Sequence, residues 1–146
     1  MNKRIATHDT FVIEKSYDAS PKEVFAAWSD PESKAKWFPK ADVFEFRVGG
    51  IEKNKGGPPE GPVFTFEAIY QEIVTNQRIV YTYAMDLEET RISVSVTTVE
   101  FKDTDSGTQL TFTEQGVFLD GQDTVEHREH GTNILLDHLG DIFNQK

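Results

Sequence analysis

No cysteine occurs among the 146 residues, which removes disulfides, thiol nucleophiles and thiolate metal sites together. Basic residues are scarce as well. Fifteen Lys and Arg against 25 Asp and Glu leave a formal charge of −10, and such a chain repels phosphate backbones and anionic membrane surfaces. No nucleic-acid or membrane partner is expected. No stretch approaches the ~18 apolar residues of a membrane span. The opening MNKRIATHDT lacks the apolar run of a signal peptide, so a cytoplasmic protein is expected. Internal repeats and low-complexity tracts are missing too, which excludes solenoids and propellers.

Catalytic signatures are equally sparse. There is no G-x-S-x-G elbow, and Gly49-Gly50 and Gly56-Gly57 lack the frames that phosphate cradles require. His127 and His130 stand three apart beside Glu126, but His138 lies two turns beyond, short of the three or four convergent ligands of a zinc site. No catalytic residue, metal or cofactor is therefore assigned.

What the chain has is aromatic bulk: eleven Phe, four Tyr and two Trp. A single domain over residues 1–146 can bury about 68–70% of its unfolded surface, with these groups building a core or lining a cavity. Alternation from Thr10 to Tyr17 predicts a first strand. Ser20, Pro21 and Glu23 then form a capping box that opens a helix to about Ser29. A second short helix follows Asp30-Pro31, carries Trp37 and Phe38 near its end and stops at Pro39.

Period-2 patterning predicts a strand over Asp42–Val48, with Phe44, Phe46 and Val48 on one face. A short exposed strand over Ile51–Lys55 and a loop over residues 56–62, either a plain connection or a rim above a pocket, come next. Val63–Val74 presents Phe64, Phe66, Ala68 and Tyr70 on one face. After a turn at Asn76 a hairpin partner presents Ile79, Tyr81, Tyr83 and Met85. Over Arg91–Lys102 the apolar phase changes from Ile92, Val94 and Val96 to Val99 and Phe101, which predicts a bulge near Thr97-Thr98. Thr108–Val117 forms the last strand, with Glu114 on the apolar face of Leu110 and Phe112. A long helix closes the chain over about Asp123–Phe143, and Gly131 or Gly140 is expected to allow close approach to the sheet.

Read in order, FVIEKSYDASPKEVFAAWSDPESKAKWF, RVGG, FEAIYQEIVTNQRIVYTY, VTTVEFKDTDSGTQLTFTEQG and HGTNILLDHLGDIF resemble the activator of Hsp90 ATPase homologue 1-like family, over about residues 8 to 144. That family belongs to the START-like, or Bet v 1-like, superfamily (SRPBCC). The resemblance implies an α+β helix-grip fold: a curved antiparallel sheet wrapped around a long C-terminal helix, with two short helices after the first strand and a cavity between sheet and helix. Related sequences commonly carry Trp where Thr132 follows Gly131, a departure that bears on the size of the cavity.

Within such a fold, core and cavity wall are one surface. The candidate ligand-binding residues are Trp28, Trp37, Phe44, Phe46, Phe64, Phe66, Tyr70, Tyr81, Tyr83, Phe112, Glu114, Thr132 and Leu135. A carboxylate facing an apolar cavity has its pKa raised by desolvation unless a cation pairs with it, so Glu114 sets the polarity of the site. The expected function is non-catalytic binding of a small apolar or aromatic molecule. Two alternatives stand beside it: a co-chaperone-like or other protein-interaction module with a stress-response setting, and a cyclase or hydrolase using the same cavity. Monomer and homodimer both remain open.

Overall fold

A computed structural model describes residues 4–143. Seven strands form one antiparallel sheet in the order β1-β7-β6-β5-β4-β3-β2, the strands being β1 (Ala6–Tyr17), β2 (Val43–Phe44), β3 (Ile51–Gly56), β4 (Phe64–Val74), β5 (Arg78–Leu87), β6 (Thr90–Thr104) and β7 (Gly107–Leu119). Three helices accompany them: α1 (Pro21–Ser29), α2 (Pro31–Lys34) and α3 (Val125–Phe143). The sheet curves over α3, and this α+β architecture is the expected helix grip.

Local chemistry sets the early turns. Ser20 Oγ accepts from the Glu23 amide at 3.2 Å while Glu23 Oε1 accepts from the Ser20 amide at 3.4 Å, the capping box foreseen in the sequence. Asp30 caps α2 in turn through the Ser33 amide at 3.0 Å. That helix ends at Lys34, so Trp37 and Phe38 sit in the turns after it.

The strand expected over Asp42–Val48 is only two residues long. Beyond Phe44 the chain folds back: the Gly50 amide donates to the Arg47 carbonyl at 2.7 Å, and the Ile51 amide donates to Glu45 Oε1 at 3.1 Å. A Cβ on Gly50 would overlap the Glu45 carbonyl oxygen, so the reversal requires glycine there. Strand β3 likewise differs from expectation, since its inward side chains, Glu52 (1% exposed) and Asn54 (3%), are buried.

The bulge predicted near Thr97-Thr98 lies elsewhere. Pairing with β5 runs unbroken through those residues and shifts between Met85 and Asp86, which leaves Ile92 as the extra residue. The apolar phase misled because β6 turns Ser93, Ser95 and Thr97 inward, in line with Val99 and Phe101, and exposes Val94 (41%) and Val96 (40%) on the outer face. Of the two helical glycines, Gly140 makes the close approach. A Cβ there would stand 3.2 Å from Tyr17 Cε1, whereas one on Gly131 would meet nothing within 4 Å.

Candidate functional site

The core gathers Val24, Ile79, Val99, Leu110, Leu136 and Leu139, each fully or almost fully buried and each contributing about 1.5–3 kcal/mol. Above it, between the inner face of the sheet and α3, lies a cavity of about 470 Å³. Trp28 of α1 and Trp37 border it, as do Phe64 and Phe66 of β4 and Tyr81 and Tyr83 of β5. Phe112 and Glu114 of β7 and Thr132 and Leu135 of α3 complete the set of sequence-derived residues in its wall. Gly56 and Gly57 supply one rim; the exposed His127, His130 and Ile134 supply the other.

Phe44, Phe46 and Tyr70 lie outside this wall. The fold-back after Phe44 stacks Phe44 and Phe46 with centroids 6.3 Å apart and sets Phe46 edge-on to Tyr70 at 4.9 Å, in an adjoining aromatic cluster. The hydroxyl of Tyr70 is committed to Glu52 Oε1, which also accepts from Lys34 Nζ at 2.6 Å. Lys34 is roofed by the Phe38 ring at 4.6 Å. Burial holds its ammonium below the ordinary lysine range, and Glu52 opposes that only partly.

The polar end of the cavity is a closed network. Glu114, 2% exposed, accepts from the Tyr83 hydroxyl at 2.7 Å, from Arg128 Nη1 at 3.3 Å and from Thr97 Oγ1 at 3.3 Å. Arg128, 8% exposed, also donates from Nη1 to the Tyr83 oxygen at 2.8 Å. Its Nη2 donates to Ser93 Oγ at 2.8 Å and to Asp123 Oδ2 at 3.0 Å. Burial works against the guanidinium charge, yet Tyr83, Glu114 and Asp123 together hold its pKa above the ordinary value. Burial first, and the Glu114 charge second, push the Tyr83 phenol well above its usual range. Asp123 Oδ1 is shared by the Thr124 amide and His127 Nδ1, both at 2.8 Å. Among the described residues no three His, Cys, Asp or Glu side chains converge as metal ligands.

Arg128 was not singled out from the sequence, nor were Lys34, Glu52, Asn54 and Ser93. One signal was available: an inward Glu114 in a water-poor wall needs a cation, and Arg128 is the Arg or Lys that α3 carries. Glu52 and Asn54 alternate with Lys53 and Lys55, so polarity alone could not orient β3.

Residues 18–144 match the model of a family described as Activator of Hsp90 ATPase homolog 1-like protein. No curated protein matches the chain. Among solved structures, a protein from Rhizobium leguminosarum is 42% identical with a TM-score of 0.92, and the match covers 99% of this chain and all (100%) of that one. A protein from Rhizobium loti is 41% identical with a TM-score of 0.89, over 94% of this chain and 98% of its own. One from Chromobacterium violaceum is 25% identical with a TM-score of 0.84, over the same shares, 94% and 98%.

Proposed function

Because this chain belongs to the activator of Hsp90 ATPase homologue 1-like family, whose members commonly bind hydrophobic ligands, we propose that it binds a small apolar or aromatic molecule in the cavity under α3 without transforming it. The observation that carries this reading is the wall: aromatic side chains from four elements surround about 470 Å³, within the ~300–1,000 Å³ usual for ligand pockets. Glu114 sits at the polar end, already engaged by three donors, which suits orientation of a ligand better than proton transfer. Native mass spectrometry of the protein purified from its own host tests the reading directly. A copurifying small molecule is expected. A bare chain whose melting temperature no member of an aromatic small-molecule library raises would overturn it.

A protein-interaction role draws on the opposite face of the sheet, where Val12, Ile69, Val94 and Val96 are exposed. That reading predicts a partner in pulldown that is lost when Val94 and Val96 are replaced by Thr, with small-molecule screens silent.

A further inference from the structure

The charged groups in the cavity wall are unequal in number. Glu114 and Asp123 are two carboxylates, and Arg128 is the single guanidinium between them; with His127 and His130 uncharged, the wall carries one net negative charge. Both terminal nitrogens of Arg128 are spent on Tyr83, Glu114, Ser93 and Asp123, so the cation offers no free fork to a ligand carboxylate. Lys34, the other buried cation nearby, is paired with Glu52 and does not border the cavity. The buried nitrogen donors of the wall that lack a hydrogen-bond partner among the described residues are Trp28 Nε1 and Asn54 Nδ2, and both are neutral.

An anionic ligand would therefore bring a like charge into a low-dielectric wall and find no cation to meet it. At an effective dielectric constant of about 20 this repulsion is worth more than a factor of ten in affinity. From this we infer that the cavity selects uncharged aromatic molecules and rejects carboxylates and sulfonates of the same shape, fatty acids among them. The inference rests on the cavity being a ligand site, and it names the class of ligand that the site takes.

A matched pair of fluorescent probes separates the two claims. N-phenyl-1-naphthylamine and 1-anilinonaphthalene-8-sulfonate share one skeleton and differ by the sulfonate. At pH 8 the full-length protein should bind the neutral probe at least about tenfold more tightly. Asp123→Asn removes one wall charge and should narrow that ratio severalfold, with Glu114→Gln as the second variant if circular dichroism shows the first to be misfolded. Equal affinities, or tighter binding of the sulfonate, would overturn the charge selection and leave the cavity reading standing. A ratio unmoved in a folded variant would assign the preference to apolar contact alone and likewise overturn it. Failure of both probes to bind the wild-type protein would remove the ligand site itself, and the inference with it.

Discussion

The hydroxyl of Tyr17, on the first strand, donates to the carbonyl of Leu136 in the last helix at 2.8 Å, and the same ring lies against Gly140. Held by this bond and by Phe143 at 5.9 Å, the ring cannot retreat from a new methyl group. Gly140→Ala should therefore cost stability, because overpacking of ~1–3 kcal/mol exceeds the ~1 kcal/mol gained in helix propensity. Gly131→Ala, with open space around its Cβ, should stabilise by up to about 1 kcal/mol. Urea unfolding of the two variants should move in opposite directions; a shared sign would contradict the packing argument.

Lys34 and Glu52 make a buried pair in which neither partner reaches water. Lys34→Met should cost about 3–5 kcal/mol, since it strands the Glu52 carboxylate with Tyr70 as its remaining partner. Adding Glu52→Gln removes the stranded charge and keeps an acceptor for Tyr70, so the double variant should recover at least half of the loss. If the double variant is no more stable than the single one, Lys34 acts through its packing against Phe38 instead.

All four tyrosines are buried with phenols raised above their usual range, chiefly by burial. Below pH ~10 folded and unfolded chains both keep these protons and nothing is gained or lost. From there upward the unfolded chain releases them and the folded chain does not, so stability falls with rising pH. Absorbance at 295 nm should rise in one step together with loss of the circular dichroism signal, well above pH 10. Phenolate appearing near pH 10 in a chain that is still folded would contradict the burial of the ring hydroxyls.

Thr132 borders the cavity and uses its hydroxyl on the Arg128 carbonyl at 2.9 Å. Thr132→Trp should fill the space that this small side chain leaves, reducing affinity for neutral aromatic probes at least about tenfold without lowering the melting temperature. Fluorescence titration checks the first expectation and thermal melting the second. Undiminished binding would move the ligand away from α3.

The order of elements was legible in the sequence because caps and turn residues act locally: Ser20 and Asp30 specify their bends almost unaided. Which face of a strand points inward was legible only where bulk and polarity agree, as along β4 and β5. On β6 they disagree. Ser93 and Thr97 are buried because Arg128 meets the first and Glu114 and Tyr81 meet the second, from elements distant in the chain. The same holds for Lys34 and Glu52, whose burial depends on each other. Glu114 was legible as an inward carboxylate because its own strand set its phase; the identity of its counterion belongs to the tertiary structure.

The last helix is fastened at its two ends by different means. Near its C-terminus Leu136, Leu139 and the Gly140–Tyr17 contact are packed where water does not reach, while its first turns are held to the sheet by Arg128, through Tyr83, Glu114 and Ser93, beside the partly buried Val125. The cavity lies under that end. A helix held in this way should loosen first at its polar end, at a local cost below that of unfolding the domain. Loosening Arg128 from Tyr83, Glu114 and Ser93 should thus govern how fast a ligand comes and goes before it governs whether the protein stays folded.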